Sequence, residues 1–417
     1  MFSALHSRLR SIANRSRSSV GRAGRPCVLE NLEGRLLMSV TYPVTNLNDH
    51  GAGSLRQAVL NANAHPGTDI IDFKVGGTIA LTTGQLTVTD SVQIVGPGAA
   101  KLTISGDGKT RILDVANPKI NVSVSGVTFT RGNPGIAFGG AVSNFGKLSL
   151  SGDVFTNNVA ASFTTGPTSG GGGAAIENAG SLYVSTCTFD SNTVYVHDGS
   201  GIDGGGAIYN NGYANISRST FSNNVAQTSP SALTPLSAGN GAGIYNNGSL
   251  LLTNSTLYYN NIDSAFGVGG GLFTNSTAAS TVINCTFSNN TFYNIGGDVG
   301  SLKLGNTIVA NFGAYARVSD DVSGGFTSLG NNLIGYSGDP GWLPSDIVGA
   351  SSASPINPLL GALAYNGGPT KTLAISNSSP ARAHGSVALA TSFGLTTDQR
   401  GLPRVELGKV DIGAFEL

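Results

Sequence analysis

GGAIYNNGYANISRSTFSNN, residues 205–224, is one of five copies of a single unit, and its reading decides the fold. The other copies are GGAVSNFGKLSLSGDVFTNN (139–158), GAAIENAGSLYVSTCTFDSN (173–192), GAGIYNNGSLLLTNSTLYYN (241–260) and GGGLFTNSTAASTVINCTFSNN (269–290). Aligned on one apolar anchor, they place Phe155, Phe189, Phe221, Leu257 and Phe287 at equivalent positions, 34, 32, 36 and 30 residues apart. A constant motif at unequal spacing means a fixed coil plus a variable loop, as in 160–171 and 226–240. Within each unit, short runs of β-branched and aromatic residues are punctuated by Gly and Asn, and helical periodicity is absent. One such unit cannot bury its apolar face alone, so stacking on its neighbours must complete the core. These features predict an all-β fold, a single-stranded right-handed parallel β-helix in which like positions stack ~4.8 Å apart.

In that solenoid the five anchors form an interior ladder. The Asn pairs that follow them (Asn157/Asn158, Asn223/Asn224, Asn289/Asn290) fall at turns, where Asn tolerates left-handed geometry and stacked amides bond one another. Cys187 and Cys285 share the position two residues before the anchor, with Ser219 and Ser255 between them. Three coils apart, roughly 14 Å, they are too distant for a disulfide and are expected as small buried residues. With Cys27 the only other cysteine and no CxxC or His/Cys cluster, neither a disulfide framework nor a zinc site is expected.

Upstream, SLRQAVLNANA (54–64) is the one predicted helix: Ser54 and Gln57 form a capping box, and Leu55, Ala58, Val59 and Ala62 share a face suited to covering the open end. Runs 69–75, 78–82, 86–95, 101–105, 111–115 and 120–129 read as strands of the first coils. The expected organisation is a basic leader (1–40), an N-terminal cap with the first coils (41–118), the repeats (119–312), and closing coils with an irregular cap (313–417).

Charged residues are only 11% of the chain and the formal net charge is zero. Asn, Ser and Thr supply the polarity instead, so no basic field exists to recruit nucleic acid. No run approaches the ~18 apolar residues of a transmembrane span. The leader carries Arg8, Arg10, Arg15, Arg17, Arg22 and Arg25 with no acid before Glu30. It lacks the apolar stretch of a standard secretory signal, and its composition also fits an organelle transit peptide.

Several segments carry a resemblance. TNLNDHGAGSLRQAVLNANAHPG (45–67) resembles the opening of bacterial β-helix surface proteins, and the GGAIYNNG…STFSNN units resemble the repeats of polymorphic outer-membrane-type and other pectin-lyase-like solenoids. SLGNNLIG (328–335), NGGPTKTLAISNSSPA, TDQRGLPR (397–404) and DIGAFE together are similar to the C-terminal region of choice-of-anchor β-helix proteins of planctomycetes. LENLEGRLLMSV (29–40) is similar to the LEPR-type leader of their exported proteins, although Asn31-Leu32-Glu33-Gly34-Arg35 departs from that string. The resemblance implies a secreted or cell-surface bacterial protein and assigns no activity. A second departure is Ser379-Pro380-Ala381-Arg382-Ala383-His384-Gly385, where the relatives' phrase is like SPAIDAG.

Many β-helices cleave polysaccharides, which requires carboxylates on neighbouring coils, either holding calcium beside a basic residue or acting as an acid–base pair. In the repeats Asp153, Glu177, Asp190, Asp203, Asp263 and Asp298 fall at different coil positions, so no acidic ladder is expected and no catalytic residue is assigned. The nearest cluster is Asp190, His197, Asp198 and Asp203, a candidate calcium- or ligand-binding patch, with DGSGID (198–203) partly matching a calcium-binding nonapeptide. A solvated loop is the competing reading. Asp320-Asp321 reads as a turn at the solenoid's end; His50-Gly51, His384-Gly385 and the N-x-S/T strings at Asn121, Asn215, Asn254 and Asn284 carry no site. Tyr209, Tyr245, Tyr258 and Tyr259 are candidates for stacking on sugars, Tyr209 and Tyr245 equally for ladder residues in the core. The expected function is a non-catalytic extracellular or cell-surface solenoid, adhesive, structural or glycan-binding, with polysaccharide or cell-wall and matrix material as its partner. The alternative is a divergent polysaccharide lyase or glycoside hydrolase.

Overall fold

The left-handed glycine that opens each repeat unit sets the start of each turn of the solenoid. Gly139, Gly173, Gly205, Gly241 and Gly269 all have φ between +59° and +75°. A Cβ added at Gly205 would lie 2.5 Å from the carbonyl oxygen of Ile208, so no other residue fits there. The chain then runs through a three-residue strand (Ile208–Asn210), a five-residue strand (Tyr213–Ser217), a second three-residue strand (Thr220–Ser222) and a fourth, Val225–Thr228. The computed structural model describes residues 39–135, 137–162, 172–196, 204–228, 239–263, 267–298, 301–311 and 320–417.

Equivalent strands of successive rungs pair in parallel and in register, forming sheet C from the first strand of each rung, sheet A from the second, sheet B from the third and sheet D from the fourth. Sheets A and B each contain eleven strands among the described residues and sheet C eight, so the protein is a parallel β-helix. Alternation decides what goes inside. In KLSLS, SLYVS and YANIS the second and fourth residues are buried, giving an aliphatic column through Leu148, Leu182, Ala214 and Leu250 and another through Leu150, Val184, Ile216 and Leu252.

In sheet B one apolar residue per strand points inward from Phe129 to Ile334. Phe129, Phe155, Phe189, Phe221, Leu257, Phe287, Val309 and Ile334 pair one above the next. The first four rings stack face to face, with centroids 4.8, 4.9 and 4.6 Å apart and planes within 11°. The backbone rise thus fixes ring spacing at aromatic contact distance.

The corner between sheets A and B also uses a left-handed residue on each rung: Gly126, Gly152, Thr186, Arg218, Asn254, Asn284, Asn306 and Asn331. The residue after it forms a polar column, in which Asp153, Cys187, Ser219 and Ser255 follow one another. Asp153 Oδ1 accepts the Val127 N–H, Ser219 Oγ that of Cys187, and Ser255 Oγ that of Ser219. Cys187 and Cys285 are buried free thiols in this column. Burial pushes both thiols up, Cys285 to about 12. Cys27 lies outside the described residues.

The Asn pairs divide their labour. Asn157, Asn223 and Asn289 take the left-handed conformation, each with φ 55°. The partners Asn158, Asn192, Asn224, Asn260 and Asn290 turn inward, each side-chain amide donating to the next Oδ1 at 2.8–2.9 Å. A second chain of amides, Asn144–Asn178–Asn210–Asn246, runs at the end of sheet C with bonds of 2.7 Å. Asp321 ends the first ladder, accepting from Asn294 and from the backbone of Asn311 and Tyr336.

Helix α1 (Leu55–Ala64) lies against the first strands with Leu55, Ala58, Val59 and Ala62 buried, and Ser54 Oγ accepts the Gln57 N–H. The reciprocal half of the expected capping box does not form, because the Gln57 amide donates to Asn61 instead. Two expected strands are each split by a corner: 86–95 becomes Leu86–Val88 and Val92–Val95, and 120–129 becomes Asn121–Ser125 and Thr128–Thr130 around Gly126, whose φ is +65°.

Past residue 311 the coil persists further than its fading repeat suggests. SLGNNLIG supplies most of one strand of sheet A (Phe326–Gly330) and all of one of sheet B (Leu333–Ile334), with Asn331 at the left-handed corner. The chain then turns back along the outside of sheet B. Ala414 N–H donates to Thr286 Oγ1, Thr256 Oγ1 to Gln399 Oε1 and Thr220 Oγ1 to the Lys371 carbonyl. Arg404, fully buried, joins this strap to Asn254 and to Glu416. TDQRGLPR and DIGAFEL are therefore two halves of one clasp. In SPARAHG the Ala383 N–H donates to Asp411, while the Arg382 and His384 side chains are exposed.

Candidate functional site

The outward residues of sheet A form a flat polar face, because inward Leu and Val alternate with Ser, Asn and Tyr. Its columns read Asn121–Lys147–Ser181–Tyr213–Ser249, Ser123–Ser149–Tyr183–Asn215–Leu251 and Ser125–Ser151–Ser185–Ser217–Thr253. A trough of about 330 Å³ opens on this face, lined by Ser149, Leu150, Ser151, Tyr183, Val184, Ser185, Asn215 and Ser217. The Tyr183 and Tyr213 rings, on adjacent rungs, lie 5.8 Å apart and tilted by 57°. Tyr213 is 38% exposed and Tyr183 half-buried. Lys147 Nζ sits 5.2 Å from the Tyr183 ring centre. Hydroxyls, an amide and two amphipathic rings on a rigid sheet can hydrogen-bond and stack an extended hydroxylated ligand.

The tyrosines named from the sequence are placed elsewhere. Tyr209 and Tyr245 are buried, stacked at 5.1 Å with Phe273 next in the column. They point out of sheet C and form a small apolar cluster separate from the solenoid core. Tyr258 and Tyr259 are half-buried, with rings 5.4 Å apart. Tyr183 and Tyr213 carried a usable signal: in SLYVS the inward Leu182 and Val184 force Tyr183 outward, and YANIS pairs with it in register.

Asp190 is tied to its neighbours. Its Oδ1 accepts from Ser222 Oγ at 2.6 Å and Asn223 Nδ2 at 2.9 Å, and its Oδ2 from Ser191 Oγ at 3.0 Å. His197, Asp198 and Asp203 lie outside the described residues. Among the described residues no three His, Cys, Asp or Glu side chains gather to hold a metal ion.

The expectation of no acids in register needs one correction. Asp114, in a coil before the repeats, shares an outward column of sheet C with Glu177, with Ser143 on the rung between them. Two rungs put their backbones roughly 10 Å apart. Burial raises both carboxyls above their ordinary values, while Arg111 nearby opposes the rise at each. Burial also lowers Arg111. The polar groups are closed on one another: Gln85 donates to Asp114 at 3.1 Å and Ser143 to Glu177 at 2.7 Å. The Arg111 nitrogens donate to Gln85 Oε1 and to the carbonyls of Phe138 and Gly139. This arrangement pins the corner at 138–139 to the rungs below it.

Neither the protein-family models nor the curated proteins give a match to the chain. Among solved structures, a PL6 family alginate lyase, AlyGC, aligns over 88% of this chain and 59% of its own at 10% identity, with a TM-score of 0.26. The chain thus spans less than two thirds of that neighbour's length, and the likeness assigns no activity. Among the described residues no helix is long and apolar enough to cross a membrane.

Proposed function

We propose that the protein is a non-catalytic, extracellular or cell-surface β-helix that binds glycan along the outward face of sheet A. The supporting observation is the Tyr183–Tyr213 pair beside a trough whose largely apolar floor is edged by serine hydroxyls and the Asn215 amide. Stacked rungs hold those groups in fixed register, so little conformational entropy is lost when an extended chain docks. The extracellular placement rests on the resemblance of the leader and closing motifs to exported planctomycete proteins.

Isothermal titration against a panel of oligosaccharides tests the reading. Binding without release of reducing ends is expected, and Tyr213→Ala should weaken it roughly threefold to tenfold, the equivalent of one aromatic contact. Undiminished binding by both Tyr213→Ala and Tyr183→Ala would remove the face from consideration. The competing reading, a polysaccharide lyase or glycoside hydrolase, has its footing at Asp114 and Glu177. Turnover that disappears in Asp114→Asn and Glu177→Gln would put that reading in its place.

A further inference from the structure

From Asn121 to Gly305, seven successive strands of sheet A carry no Asp or Glu. The chain has as many acids as bases, 23 of each, so this face departs from the whole. Its only charged residues over that span are Lys147 and Lys303. Lys147 is not itself in the trough's lining, but its ammonium lies over the ring of Tyr183, which is. Lys119, exposed, lies two residues before the neighbouring strand that pairs with the Lys147 strand. Lys303 lies on the same face but five rungs away, beyond the trough.

We infer that the trough takes an acidic glycan, one bearing carboxylate or sulfate groups, with Lys147 pairing the acid while the tyrosines and serines hold the sugar. This rests on the glycan-binding reading and names its ligand class. Among the described residues the strands of this face place no carboxylate beside the Lys147 ammonium, which sits against an aromatic ring and neutral hydroxyls, so an incoming anion supplies its counter-charge. The absence of acids along the face removes the repulsion that a polyanion would otherwise meet on every rung.

Titration of the full chain with carboxylated, sulfated and neutral oligosaccharides of matched length, at low and high salt, separates the possibilities. Acidic oligomers are expected to bind at least threefold more tightly than neutral ones at low salt, with the advantage shrinking as salt rises. Lys147→Gln should abolish that advantage, Lys147→Arg should keep it, and Lys303→Gln should leave it intact. Preference for either anion class supports the inference and identifies which group is read. Equal affinity for neutral and acidic oligomers, or a preference that survives Lys147→Gln, overturns it while leaving the glycan-binding reading standing. No binding to any of the three overturns both.

Discussion

Thr186 is the one β-branched residue with a positive φ among the described residues. At φ 54° it occupies the left-handed corner that Gly126, Gly152, Asn254, Asn284, Asn306 and Asn331 fill on other rungs. A β-branched side chain there crowds the following carbonyl, at roughly 1–2 kcal/mol. Its hydroxyl donates to the Ser185 carbonyl, which offsets part of that cost. Thr186→Asn, which installs the residue used two or more rungs away, should stabilise the protein by about 1 kcal/mol. Urea denaturation of the two proteins side by side would show it, and an unchanged or lower midpoint would mean that Thr186 is not strained. This corner also marks a limit of reading by sequence. Asn254 and Asn284 suggest a turn by type, but Thr186 and Arg218 do not, and only register with their neighbours reveals the shared conformation.

At the scale of the element, the two ladders were unequally legible. The Phe anchors recur with the repeat and are apolar, so alternation alone sends them inward. Each Asn pair offers two identical letters with different fates, and the choice depends on which Cα faces the core. Asn224 makes the difference measurable: it accepts from both the backbone and the amide of Asn192, and donates to the Phe189 carbonyl and to Asn260. Asn224→Ala leaves several buried groups unpaired and should cost about 3 kcal/mol or more, whereas Asn211→Ala, at an exposed corner, should cost under about 0.5 kcal/mol. Equal losses in chemical denaturation would mean that the amide ladder adds nothing beyond a turn. The Tyr trough and the Asp114–Glu177 column stayed hidden for a related reason. Both depend on comparing rungs, and Asp114 precedes the first complete repeat, so no alignment of the five units includes it.

Across the whole molecule, the sparse charge conceals buried carboxyls that make stability depend on pH. Burial pushes Asp153 and Asp321 to about 7 and Glu416 to about 8, against the opposing pull of their hydrogen bonds and, for Glu416, of Arg404. Unfolded, these groups titrate near about 4. Between the two values the folded chain retains protons that the unfolded chain has released, so stability falls as pH rises. Their contribution is complete below about pH 4 and is lost as pH passes through 7 to 8. Asp49 works in the other direction: burial raises it, but bonds from Thr83, Arg56 and Thr82 together hold it well below the usual carboxylate range. It therefore contributes stability above about pH 4 that disappears in stronger acid. The two trends place the optimum in mild acid, and the thermal midpoint should be higher at pH 5.5 than at pH 8.5. Asp153→Ser isolates one contributor. Serine already occupies this column at Ser219 and Ser255, where its Oγ accepts the N–H of the preceding rung, so the Val127 N–H keeps an acceptor. The variant should melt higher than the parent at pH 8.5, and the gap between its two midpoints should narrow. A gap as wide as the parent's would show that Asp153 ionises as freely in the folded solenoid as in the unfolded chain.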